Sequence, residues 1–196
     1  MRIAIAALAA FVASSAWASG WSEVRLVDGV MVEARQTDSG FNEHRGAVRV
    51  CTQLPVLEAF VADADRFSEW LPFTRYAELL EQADDHLIYY VRSSTPWPLK
   101  DRDMVYRISR QADSAQGVTL ELVGLPDYQP AGTGADPIQA AAGRWRLTES
   151  EAGLDVNYQL FVHPGSVPPF AANGRMATAV GKTLANLASH FPCAQI

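Results

Sequence analysis

Two cysteines, Cys51 and Cys193, are all the chain has in 196 residues, so no cysteine cluster is available to hold a metal. The four histidines, His44, His86, His163 and His190, are scattered with no His-x-x-x-His pair, and a metal site is not expected. There is no Gly-x-Ser-x-Gly elbow for a hydrolase serine. Gly132-Thr133-Gly134 lacks the lysine and following helix of a phosphate loop. No cofactor is implied. Positive charge is scarce: 16 Lys and Arg stand against 22 Asp and Glu, a net charge of -6. That excludes nucleic acid as a partner, since phosphate contact needs a basic surface.

Acids are missing from one stretch. None follows Asp155, where the overall composition would place about four or five. Arg175 and Lys182 stand in that tail. A locally basic end would let transient membrane contact occur through the C-terminal helix. A mostly buried helix that avoids charge explains the same gap equally well.

The apolar fraction is 48% and the charged fraction 19%, so a packed core is expected, and the length suits one domain. Residues 1–18 have the form of a secretory signal. Arg2 supplies a positive charge, residues 3–12 are apolar but too few to span a bilayer, and Ala16-Trp17-Ala18 fits a small-x-small cleavage site. Cleavage after Ala18 is favoured over a retained anchor. The short, alanine-rich form points to the periplasm, with full secretion as the other outcome. The mature domain is then residues 19–196. In an oxidising compartment Cys51 and Cys193 can pair; two buried free thiols are the other reading.

Residues 21–36 alternate around Asp28-Gly29, a two-residue hairpin signal, with Val24, Leu26, Val30 and Val32 all at even positions. Residues 42–52 form a third strand. Residues 55–64 suit a helix opened by Pro55, and a second short turn over residues 65–71 is stopped by Pro72. Strands are expected over residues 75–81, 86–93, 102–110, 117–124, 143–149 and 154–163. A long Pro/Gly/Ala-rich loop fills residues 125–142. Residues 170–191 form a terminal helix whose apolar stripe is Met176, Val180, Leu184, Leu187 and Phe191.

Three motifs carry a family resemblance: Trp97-Pro98-Leu99-Lys100-Asp101-Arg102-Asp103, then Gly143-Arg144-Trp145-Arg146-Leu147, then His163-Pro164-Gly165-Ser166-Val167-Pro168. In their order and spacing the chain resembles the START (StAR-related lipid transfer) family of the helix-grip superfamily. The resemblance implies an α+β fold, a curved antiparallel sheet wrapped around a long C-terminal helix, with an internal apolar cavity. It implies a lipid-binding or lipid-transfer protein that holds a lipid or other hydrophobic small molecule without covalent bonds. The charged pair that meets a sterol hydroxyl in some members is replaced here by Tyr89 and Ile108.

By alternation, the cavity wall should comprise Tyr89, Val91, Met104, Tyr106, Ile108, Leu122, Trp145, Met176, Val180 and Leu184, unless these simply fill a dry core. Trp70, Trp97 and Arg102 should edge its mouth. The cluster Asp101-Arg102-Asp103 suits a salt-bridged strand start better than a reactive site. The competing reading is a cyclase- or hydrolase-like enzyme of the same superfamily, with Tyr89, Tyr106, Arg102 or His163 as acid–base candidates.

Overall fold

The computed structural model describes residues 20–114, 117–128 and 134–193; residues 1–18, for which a secretory signal is expected, and Gly132 and Thr133 lie outside them. Ten strands form one sheet. They are β1 (Ser22–Val27), β2 (Val30–Arg35), β3 (Glu43–Val50), β4 (Thr74–Gln82), β5 (His86–Ser93), β6 (Arg102–Ser114), β7 (Gly117–Gly124), β8 (Asp136–Pro137), β9 (Ala140–Ser150) and β10 (Gly153–His163). The spatial order is β1-β2-β3-β10-β9-β7-β6-β5-β4, every neighbour antiparallel. Helices α1 (Leu54–Ala62) and α2 (Phe67–Trp70) lie between β3 and β4, and α3 (Pro169–His190) closes the chain. The α+β class with a long C-terminal helix against an antiparallel sheet is therefore as expected.

The first hairpin turns on Asp28 and Gly29, both at positive φ (47° and 84°), as a tight two-residue turn requires. Val27 pairs directly with Val30, and residues paired across a strand share a face. Parity therefore changes at the turn. Val27, Val30 and Val32 face inward, while Val24 and Leu26 face solvent. The even-position reading of this hairpin is correct for β2 and inverted for β1.

Residues 125–142 are not loop throughout. β8 runs parallel to the start of β6, pairing Asp136 with Arg102 and Pro137 with Asp103. It occupies the edge that β7 leaves vacant, since β7 ends with Gly124 opposite Tyr106. β9 then starts at Ala140, three residues before the expected Gly143. Alanines have weak strand preference, so it is pairing that makes Ala140–Ala142 strand, with β10 along all three residues and with Val123 of β7 at Ala142.

α3 lies against β1, β2, β3 and β10. Val180, Leu184 and Leu187 are fully buried there. Gly181 permits the approach: a Cβ at that position would sit 2.5 Å from the Val27 Cβ. The far end of α3 is tied to β3 twice. Cys51 and Cys193 form a disulfide with a Cα–Cα distance of 4.9 Å, and the Cys51 N–H donates to the Phe191 carbonyl at 3.0 Å. The free-thiol reading is thus overturned. At the opposite edge, β5 and β6 are covered on their outer face too, where Ile88, Tyr90 and Val105 cluster with Leu80 and Leu125.

Candidate ligand-binding cavity

Between the sheet and the first half of α3 lies a cavity of about 460 Å³, lined mainly by apolar side chains. That volume is in the range of small-molecule pockets. Its mouth is bounded by the α2–β4 junction at Leu71 to Thr74, the β5–β6 connection from Ser93 to Leu99, and α3 around Ala171 and Arg175. The β5–β6 connection is extended by Pro96 and Pro98, which deny it helix and leave its backbone to arch over the opening.

Seven of the ten predicted wall residues line this space: Val91, Met104, Tyr106, Ile108, Leu122, Trp145 and Met176. Tyr89, Val180 and Leu184 do not. Tyr89 points inward from β5, but Phe67 packs on its ring (5.3 Å between centroids) and its hydroxyl donates to the Ala62 carbonyl at 2.8 Å. The α1–α2 segment thus seals it off. Val180 and Leu184 belong to the row of α3 that packs solidly on the sheet. The row facing the cavity is the neighbouring one, Ala172, Met176, Ala179 and Thr183, at steps of four, three and four. Three of those four are small. The space exists because that row does not fill it. The large apolar stripe in the sequence marks the dry contact, and the small-residue row beside it was the missed signal. Tyr158, Leu160 and Val162 of β10 were missed as well; alternation in that strand (buried Leu154, Val156, Tyr158, Leu160, Val162) carries them.

The expected mouth residues separate. Trp97 is 92% exposed on the rim. Trp70 is not at the mouth: it is 3% exposed, packed 5.9 Å from Trp145, and its Nε1–H has no protein partner. Arg102 lines the cavity but is 5% exposed and fully engaged. It donates to the carbonyls of Pro164 (3.1 Å) and Lys100 (3.1 Å), to Asp136 Oδ2 (2.9 Å) and to Ser166 Oγ (3.5 Å). It therefore pins the Pro164-Gly165-Ser166 turn and β8 to the start of β6. Asp101 accepts from Arg92 at 3.0 Å and from the Thr95 N–H at 3.3 Å, and Tyr90 donates to Asp103 at 3.1 Å. The charged cluster is structural.

Arg175 is the cation at the rim. Its guanidinium lies 3.6 Å from the centre of the Phe73 ring and donates to the Ser94 carbonyl. Burial lowers its pKa from the usual range. It is not the unopposed surface charge that its position in the sequence suggests. His163 is held in its turn, Nδ1 accepting from the Gly165 N–H at 3.2 Å with the ring 4.3 Å from Phe41.

Inside, burial pushes the Tyr106 and Tyr158 hydroxyls well above the ordinary phenol range. The environment penalises a phenolate, the form a tyrosine would need to act as a base. Among the described residues no group of three or more metal-type ligands is found, and no helix is long and apolar enough to cross a membrane.

No protein-family model matches the chain. A Pseudomonas aeruginosa protein described as uncharacterized is 28% identical over 193 residues, covering 96% of each chain. The crystal structure of a STAR-related lipid transfer protein from Xanthomonas axonopodis is 32% identical, with a TM-score of 0.80 over 87% of this chain and 98% of that one. Human StAR-related lipid transfer protein 5 shares the fold at 16% identity, with a TM-score of 0.70 over 89% of this chain and 87% of that one. Human STARD10 does so at 16% identity and a TM-score of 0.71, over 87% and 72% respectively. The chain belongs to the StAR-related lipid transfer (START) family.

Proposed function

We propose that this protein carries a lipid or another hydrophobic small molecule in the cavity under α3, without covalent attachment and without a cofactor. The observation that carries this reading is an apolar cavity of about 460 Å³ that reaches the surface at a rim bearing exposed aromatic side chains. Burying ~400 Å² of acyl chain is worth roughly 10 kcal/mol against water. A bilayer offers a similar gain, so transfer between membrane and cavity is nearly balanced and both loading and release occur. Opening the rim is the kinetic barrier.

Transient membrane contact is the second part of the proposal. Trp97 is 92% exposed and Phe170, at the start of α3, is 84% exposed. Trp97 lines the mouth, and Phe170 is bonded to Ala171, which also lines it. Exposed large aromatics beside an opening cost nothing if they enter a bilayer interface during exchange. The contact thus runs through the first turn of α3 and the β5–β6 connection rather than through Arg175 and Lys182. The disulfide supports the export reading, with the periplasm as the site of action.

The test is transfer of a pyrene-labelled phosphatidylglycerol and a pyrene-labelled fatty acid between vesicles, for the wild type and for Trp97→Ala/Phe170→Ala. The wild type accelerates transfer of at least one label, and the variant is slowed while still taking up a soluble apolar dye. Transfer by the wild type no faster than the spontaneous rate would overturn the carrier reading. An undiminished rate in the variant would overturn the membrane contact.

A further inference from the structure

The chain carries 22 Asp and Glu against 16 Lys and Arg, yet none of the described residues that line the cavity is acidic. The charged ones among them are Arg102 and Arg175. The Arg102 charge is met inside the protein, by Asp136 at 2.9 Å. The Arg175 charge is not. Its guanidinium lies over Phe73 and one of its N–H groups donates to the Ser94 carbonyl, and both of those partners are neutral. Among the described residues no carboxylate pairs with it.

A guanidinium that gives up water without gaining an anion is disfavoured as a cation. Burial accordingly holds the Arg175 pKa below its usual range, with no acid acting the other way. Most donors of its planar fork are uncommitted, and a carboxylate or phosphate is the group that such a fork matches. The first turn of α3 adds to the same sign. It contains no acid, so the positive end of the helix dipole is not neutralised from within that turn, and Ala171 in it borders the mouth.

The rest of the space suits a tail. Thr74, Ser93, Ser94 and Thr95 place polar side chains around the mouth beside Arg175, while Met104, Ile108, Leu122 and Leu160 offer apolar contact further along the wall. A charged head carried inward past the mouth would lose its hydration and leave its one uncompensated counter-charge behind. The volume limits the tail. The cavity holds about 460 Å³. A methylene takes roughly the room of a water molecule, ~30 Å³ in the liquid, so the space matches one chain of about 15 carbons and not two.

We infer that the ligand is a single-chain anionic amphiphile, bound tail inward with its carboxylate or phosphate on Arg175 at the mouth. This rests on the carrier reading and specifies its ligand class.

The first experiment is displacement of bound Nile red, a neutral dye, at pH 8 by dodecanoate, dodecyl phosphate and dodecan-1-ol. The three share one chain and differ in the head. In the wild type at least one of the two anions is more potent than the alcohol by about tenfold or more, the size of one charge-assisted hydrogen bond. The two anions separate a carboxylate head from a phosphate head. In Arg175→Met the advantage of the anion over the alcohol is lost, and in Arg175→Lys, which keeps the charge, much of it remains. The ratio of anion to alcohol within one protein does not depend on how tightly that protein holds the dye, so a merely structural latch at the rim would leave it unchanged. Equal potency of the alcohol and both anions in the wild type, or the same ratio in Arg175→Met as in the wild type, overturns the role of Arg175. Circular dichroism verifies that each variant is folded, and Arg175→Gln supplies the neutral comparison if Arg175→Met is not.

The second experiment tests the single chain. The wild type is incubated with vesicles of dioleoylphosphatidylglycerol containing hexadecanoate and hexadecyl phosphate, repurified, and its bound lipid extracted. The extract holds a single-chain anion and no stoichiometric phosphatidylglycerol. Recovery of phosphatidylglycerol in stoichiometric amount overturns the single-chain limit while leaving the carrier reading in place. A wild type that takes up neither Nile red nor any of these lipids overturns the carrier reading and this inference with it.

Discussion

Arg175 of α3 places its guanidinium over the Phe73 ring, 3.6 Å from the ring centre, and in the same pose donates to the backbone of Ser94. One side chain thereby joins the helix to both other sides of the cavity mouth, the α2–β4 junction and the end of β5. A cation–π contact and one hydrogen bond to a carbonyl together amount to roughly 1–3 kcal/mol. Arg175→Met keeps the stem and removes both. Stopped-flow release of Nile red should then be about tenfold faster than from the wild type. An unchanged release rate would show that the rim opens elsewhere.

Disulfide removal should loosen the far end of the same helix. Cys51 and Cys193 are 142 residues apart in sequence. Closing so long a loop restricts the unfolded chain, and the usual stabilisation is about 2–4 kcal/mol. Urea unfolding with and without reductant should show a loss of that order, and Cys51→Ser/Cys193→Ser should match the reduced protein. The alkylated, unreduced protein should show no free thiol after unfolding. Equal midpoints in the two conditions would contradict this.

His44 makes stability fall in mild acid. It is 1% exposed in β3 with Nδ1 unpaired, and burial pulls its pKa from 6.5 down to about 4. The backbone of Asn42 and the carboxylate of Glu43 favour the charged ring but do not outweigh that burial. Between pH 6.5 and 4 the unfolded chain binds a proton that the folded chain refuses. The stability is complete above pH 6.5 and is lost as the pH drops towards 4, by up to about 3 kcal/mol. Urea midpoints at pH 7.5 and 4.5 should converge by that margin in His44→Leu relative to the wild type. Parallel pH profiles for the two proteins would show that His44 does not titrate this way.

The two glycines of α3 should respond in opposite senses to alanine. Gly174 has nothing within 4 Å of where a Cβ would stand, so Gly174→Ala should stabilise by about 0.5–1 kcal/mol through helix propensity alone. Gly181→Ala would drive a Cβ into the Val27 side chain and should destabilise by 1 kcal/mol or more, of the order of ~1–3 kcal/mol for overpacking. Thermal midpoints of the two single variants decide it. A Gly181→Ala protein as stable as the wild type would mean that β1 yields.

Much of this fold is legible in local patterns. Asp28-Gly29 announces its hairpin, Pro55 opens α1, Pro72 ends α2, and His86–Ser93 and Gly117–Gly124 are bounded as alternation predicts. What was hidden depends on partners distant in sequence. β8 is two residues that become strand only because β7 stops short beside β6. The inversion of β1 follows from which residues pair across the turn, not from hydrophobicity. Alternation places Met104, Tyr106 and Ile108 on the cavity side of β6, since a strand has only two faces. A helix has several rows, and the apolar stripe of α3 indicates burial without saying against what. Val180 and Leu184 meet the sheet, and Ala172, Ala179 and Thr183 meet the cavity. Tyr89 was hidden similarly, because only the folded position of Phe67 removes it from the wall.

The central claim is that the space under α3 holds a guest. Native mass spectrometry of the protein purified without detergent, before and after incubation with vesicles of total bacterial lipid, addresses it directly. The account predicts a species heavier than the chain by one discrete small-molecule mass, released on denaturation and recovered intact by organic extraction. A spectrum that shows the bare chain alone in both samples would contradict it.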